Sequence, residues 1–115
     1  MRRATAGSLA IVCVAVFSVA ARAATLQVSN LGTDSGTCGS STSPCRTISQ
    51  AITNAAPGDT ILVGPGLYGD VNNDGNLADP GEESSGMAGK TIVVSKPLVI
   101  LSRDGAGSTV IRNVG

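Results

Sequence analysis

Apolar residues fall into two periods along this chain. Ile48, Ala51, Ile52 and Ala55 recur at i, i+3, i+4 and i+7, one stripe of a helix, with Thr47, Gln50 and Asn54 off it. Ser43 as N-cap and Pro44 at the first helical position start this helix, and Pro57-Gly58 stops it, which predicts about three turns. A helix that short is not stable alone in water, so its Ile/Ala face must lie on other apolar surface. Everything else reads as short strands and turns. Residues 25–30 alternate, with Leu26 and Val28 on one face, and predict a first strand. Residues 32–43 are dense in Gly, Ser and Thr, show no apolar period, and read as a loop. Ile61-Leu62-Val63 is a continuous apolar triplet; Gly64-Pro65-Gly66 turns the chain and Leu67-Tyr68 continues it. Residues 91–94, 98–101 and 109–111 repeat the pattern between Gly/Pro/Asp turns, and no helical period follows residue 56.

Short strands with tight turns suit a sandwich, a barrel or a solenoid. The helix decides among them. A solenoid exposes the end of its apolar column and the edges of its first coil, and needs a polar-faced cap there. An amphipathic helix directly before the first apolar triplet fits that need. A sandwich has no such requirement.

A different hydrophobic run opens the chain. Leu9 to Ala21 is thirteen residues broken only by Ser18, after Arg2 and Arg3. It suits a secretory signal core and is short for a membrane span. Ala21-Arg22-Ala23 reads as its small-x-small cleavage site, which predicts a signal peptide over residues 1–23 and Ala24 as the first mature residue. An uncleaved membrane anchor is the alternative. Residues 24–115 would then form the mature chain, secreted or at the cell surface, with no membrane span.

Composition narrows the core. The 115 residues are 42% hydrophobic but only 2% aromatic, so the core must be built from Val, Ile, Leu and Ala, which suits thin stacked layers. Eight basic residues balance eight acidic ones over the full chain. Removing residues 1–23 takes Arg2, Arg3 and Arg22 and no acid, so the remainder is acidic. It offers no basic face to nucleic acid or anionic lipid. Cys13 leaves with the signal, and Cys38 and Cys45 remain as an even pair in an exported chain, for which a disulfide is the expected state. Two thiolates without His cannot complete a zinc site, and the spacing is not that of a redox pair.

Residues 69–83, GDVNNDGNLADPGEE, carry the one candidate ion site. Asp70, Asn72 and Asp74 fall at positions 1, 3 and 5 of a calcium loop, with Gly75 at 6 and Asn76 at 7. Alternate side-chain oxygens then converge on one hard cation, while Gly allows the sharp turn and a backbone carbonyl at position 7 adds a ligand. The back half departs from that pattern: position 12 is Gly81, and a Pro80-Gly81 bend must bring Glu82 or Glu83 round as the bidentate ligand. A solvated Gly/Asn/Asp-rich turn with no ion is the alternative. Calcium here would order a long surface insertion, residues 69–89, rather than catalyse.

Catalytic signals are thin. The chain has no His and no free mature Cys, so the common nucleophile–base pairs are missing. Asp59 and Asp104 both sit in Gly-containing turns, where Asp has an ordinary structural job. No spacing singles out one of Lys90, Lys96, Arg103 and Arg112 as a base.

Taken in order, Cys45-Arg46-Thr47-Ile48, Ala51-Ile52, Pro57-Gly58-Asp59-Thr60-Ile61, Gly64-Pro65-Gly66 with Tyr68, and Lys96-Pro97-Leu98 with Gly105, Gly107, Thr109 and Ile111 resemble the N-terminal segment of secreted bacterial right-handed parallel β-helix proteins, the pectate-lyase-like group. The resemblance implies a mainly β fold: the start of a right-handed parallel β-helix with an N-terminal amphipathic capping helix, a fragment of fewer than two full coils. It implies ligands along an outer groove and catalytic residues on later coils, so that a longer protein would be a polysaccharide lyase or glycoside hydrolase, or an adhesin. Expected partners are a polysaccharide or cell-surface component, and further copies of the chain through the open end. The insertion after Tyr68 departs from the family pattern. A complete small calcium-dependent secreted binding module is the alternative reading.

Overall fold

The computed structural model describes residues 22–114. The signal-peptide reading of residues 1–23 therefore lies almost wholly outside the described residues. Among the described residues the fold is mainly β with one α-helix, and each pairing between its strands is parallel. Strands β1 (Thr25–Val28), β2 (Thr60–Val63) and β4 (Val99–Ser102) form one sheet in the order β1-β2-β4, and β3 (Gly66–Gly69) pairs with β5 (Thr109–Arg112) in a second. Gly64-Pro65 turns β2 into β3, and residues 103–108 turn β4 into β5, so one strand–corner–strand unit lies on another. The corners touch as well: the Arg103 N–H donates to the Val63 carbonyl at 2.8 Å, and Thr109 Oγ1 to that of Gly64 at 3.3 Å.

In-register parallel pairing stacks like faces. Leu26, Ile61 and Ile100 form one column, and Tyr68 and Ile111 another. The lower members are buried, whereas Ile100 and Ile111, on the last paired strands, are 37% and 49% exposed. The two sides of the stack are finished differently. On the free edge of β1 the Gln27 N–H donates to the Gly39 carbonyl at 2.7 Å, and the Ser29 N–H to that of Cys45 at 2.9 Å. The Cys38–Cys45 disulfide ties that covering segment together. Among the described residues, β4 and β5 have no ladder partner on their outer edges.

Helix α1 (Ile48–Asn54) packs on β1 and β2 and buries Ile48, Ala51 and Ile52, with Ala55 just past its end. It is seven residues long, shorter than the expected three turns, and its N-cap is Thr47 rather than Ser43. Cys45 is held extended by its bridge to Val28, so the chain turns helical only afterwards. Residues 91–94 also differ from expectation and form no strand. Both edges of β2 are already taken, by β1 and β4. Ile92 packs against the core without joining a ladder, and buried Thr91 donates through Oγ1 to Asn113 Oδ1. A 3₁₀ turn, Ala106–Ser108, forms where the sequence predicts no helix. Among the described residues no helix is long and apolar enough to cross a membrane.

Candidate metal centre

The site begins where β3 ends. Asp70 follows Gly69, whose φ of 91° lets the backbone pass against β5; a Cβ there would sit 2.0 Å from the Arg112 carbonyl oxygen. The Asp70 N–H donates to that same carbonyl at 3.0 Å. Arg112 Nη1 donates in turn to the carbonyls of Asp70 at 3.2 Å and Val71 at 3.1 Å. The first residue of the loop is thus fixed by the sheet.

From there the loop coils on its own side chains. Asp70 accepts from the Asp74 N–H at 3.1 Å and the Gly75 N–H at 2.9 Å, one on each oxygen. Asn72 Oδ1 accepts from the Asp74 N–H, Asp74 Oδ1 from the Asn76 N–H, and Asn76 Oδ1 from the Ala78 N–H, three successive bonds to the backbone two residues on. Asn73 and Gly75 take positive φ, 64° and 82°, to make this possible. The chain bends again at Gly81, φ 87°, and Glu82 turns back so that its Oε1 accepts from the Asn72 N–H at 3.0 Å.

Three carboxylates converge. One oxygen each of Asp70, Asp74 and Glu82 lies within 4.8 Å of the others, with Asp70 and Glu82 buried and Asp74 exposed. Like charges about 4 Å apart repel by ~1 kcal/mol in water and by ~4 kcal/mol at the dielectric near a protein surface. Among the described residues no Lys or Arg pairs with them; the one salt bridge is Arg103–Asp104. Glu82 is only 6% exposed, and its Oε2 is buried with no hydrogen-bond partner. A buried, unpartnered carboxylate oxygen is costly. A hard cation bound by oxygen would satisfy it and offset the repulsion. The donor set therefore fits calcium: all oxygen, three carboxylates, with Asn72 beside them. Asn72 Nδ2 also donates to Asp74 Oδ2 at 3.2 Å and Asp79 Oδ2 at 2.8 Å, which brings in Asp79, outside the sequence-predicted set.

Glu83 goes elsewhere. Its carboxylate, 1% exposed, accepts from the N–H of Ile48 and, at 2.9 Å, from that of Ser49. Burial pushes its carboxyl up from the ordinary range, against those two amides, which pull it down. Asn76 is exposed and serves the loop backbone. Of the six predicted ligands the structure thus gathers Asp70, Asp74 and Glu82, keeps Asn72 in contact with them, and places Glu83 on the helix.

The helix ends show what sequence reasoning missed. The Gln50 N–H donates to Thr47 Oγ1 at 3.1 Å, Glu83 takes Ile48 and Ser49, and Asp34 takes the N–H groups of Arg46 and Thr47. At the other end Lys96 Nζ donates to the carbonyls of Ile52 at 2.9 Å and Ala55 at 2.8 Å. Glu83 and Lys96 lie beyond the first corner in sequence, and no local motif marks either one.

Among the described residues a second cluster of ligating groups, Asp34 with Cys38 and Cys45, has both its sulfurs joined in the disulfide. Tyr68 is fully buried, donates to the Gly64 carbonyl at 2.9 Å, and lies under the Arg46 guanidinium at 5.7 Å. Its ring is part of the core. A surface hollow of about 410 Å³ lies between the acidic loop and residues 84–90 and is not lined by Asp70, Asp74 or Glu82.

Residues 30–75 match the model of a family described as a protein of unknown function, DUF1565, a domain associated with β-helix proteins. The match takes in α1, β2, β3 and the front of the acidic loop, and stops short of Glu82. No curated protein and no solved structure matches the chain.

Proposed function

We propose that this chain is the N-terminal capping part of an exported, pectate-lyase-like right-handed parallel β-helix protein, and that its insertion binds calcium as a structural ion. The protein it heads would bind or process extracellular carbohydrate or adhere at a cell surface. The observation that carries this reading is the unequal finish of the two sides. The β1 edge is covered by a disulfide-tied segment, while among the described residues the β4 and β5 edges are open under Ile100 and Ile111. Coils stacked on that open side would continue both columns. The family match over residues 30–75 supports the same placement.

The open edge is tested on the full chain by size-exclusion chromatography over a concentration series and by binding of a hydrophobic dye. Concentration-dependent association and dye binding are expected, both reduced by Ile100→Lys with Ile111→Lys. A dye-silent monomer would count against an unfinished stack. Calcium is tested by isothermal titration in metal-free buffer. Glu82→Gln keeps the shape of the side chain and removes one charge, and should weaken binding by about tenfold or more, since a charged ligand is lost. Absence of any calcium heat in the unaltered chain would sink the ion site.

A further inference from the structure

Ala24 is the first described residue to hydrogen-bond with the rest of the molecule. Arg22, Ala23 and Ala24 are exposed. The Ala24 N–H donates to Asp59 Oδ1 at 2.8 Å, and its carbonyl accepts from the Thr60 N–H at 2.9 Å, which starts the β1–β2 ladder. Asp59 is 5% exposed, and its second oxygen accepts from the Ala56 N–H at 2.8 Å. Of the charged groups packed around it, Lys96 acts only through space, with its Nζ spent on the carbonyls of Ile52 and Ala55. A buried carboxylate is therefore held by two neutral amides, with no ion-pair partner among the described residues.

The sequence marks the same residue on separate grounds. Ala21-Arg22-Ala23 is a small-x-small signal, and it places the cleaved bond between Ala23 and Ala24. We infer that Asp59 is a built receptor for the processed N-terminus, so that removal of the leader turns the Ala24–Asp59 hydrogen bond into an ion pair. The inference rests on the export reading above. In the cleavage, a leader peptidase adds water across the Ala23–Ala24 amide. Ala23 leaves as a carboxylate, and the Ala24 nitrogen takes up protons to become an ammonium at neutral pH, below the ordinary α-amine value of about 7.7–8.0. The donor position stays where the amide was, and a full positive charge arrives beside the carboxylate. Because Arg22 and Ala23 are exposed, an uncleaved or extended chain still fits; what it lacks is the charge.

The pH sense follows. An opposite charge raises the α-amine value. The stabilisation is complete below the ordinary amine value and is lost as pH rises through the raised one. Asp59 is held below the usual carboxylate range by the Ala24 and Ala56 amides and by Lys96, so on the acid side the ion pair is lost as pH falls through that lowered value.

The test uses the full chain, expressed with its own leader in a bacterial host. Intact mass gives the first residue of the exported protein. An amine-acylating ester is then applied at pH 7, folded and in urea, and the N-terminal peptide is quantified. The folded α-amine should react about tenfold more slowly than the unfolded one, one unit of raised pKa being tenfold less free amine. Asp59→Asn should abolish the protection. A glycine inserted between Ala23 and Ala24, which moves the ammonium one residue away, should do the same without touching Asp59. Equal acylation folded and unfolded, in a chain beginning at Ala24, overturns the inference and leaves export standing. So does an exported chain with another first residue. Retention of the leader in the cytoplasm overturns both.

Discussion

Single residues carry much of this fold because close approaches leave them no alternative. Gly69 combines a left-handed φ of 91° with a missing Cβ at the Arg112 carbonyl. Gly69→Ala should destabilise the chain by more than the ~1–2 kcal/mol of left-handed backbone alone, because the backbone must also move. The displaced residue is Asp70, so the urea midpoint should fall, and with it the calcium heat if the loop binds the ion as proposed; an unchanged midpoint would contradict the packing. Asp59 gives a pH prediction. Its lowered pKa means a contribution present above the ordinary carboxylate value, about 3.9, and lost as pH falls through the folded value. Asp59→Asn should lower the unfolding midpoint at pH 7 and flatten its decline on acidification, seen by thermal unfolding across pH. At this scale the sequence was legible where the converging side chains are close neighbours along the chain. Asp70, Asn72, Asp74 and Gly75 could be read from spacing alone. From the sequence Asp59 is indistinguishable from an ordinary turn residue, because its partner lies 35 residues away.

Elements were legible in kind more than in extent. The stripe of Ile48, Ala51, Ile52 and Ala55 is the face α1 buries. The triplet 61–63 and the run 98–101 overlap β2 and β4. Where α1 starts was not legible, since Ser43-Pro44 is a sound local signal overridden by the Val28–Cys45 bridge. Residues 91–94 have the composition of a strand, but a strand needs a free edge, and sequence does not say which edges are free. The helix ends belong to the same class. Lys96 caps the last carbonyls from 44 residues away. Lys96→Met keeps the stem and removes the cation; it should cost about 1 kcal/mol, read as a lower urea midpoint and faster amide exchange in the last turn of α1. Exchange unchanged there would mean that the contact contributes nothing.

At the scale of the molecule, two adjacent carboxylates join the parts. Glu82 faces Asp70 and Asp74, while Glu83 takes the first free amides of α1. Anything that fixes Glu82 therefore also presents Glu83, and the insertion becomes a strap between the end of β3 and the start of the helix. Calcium, if held as proposed, would act on the whole fold. At a free concentration a hundredfold above its dissociation constant it would stabilise by about 2.7 kcal/mol through binding the folded state alone. Part of that effect should appear at a distance. In chelator, the Gln50 and Ala51 amides, one turn into α1, should lose protection from hydrogen exchange along with the loop. Glu83→Gln separates the two contributions. It leaves Asp70, Asp74 and Glu82 to bind the cation but weakens the charged hold on the helix start, so calcium should still raise the thermal midpoint while protecting α1 less. If chelation leaves α1 exchange unchanged, the strap is severed between Glu82 and Glu83, and the acidic loop is an independent attachment to the stack.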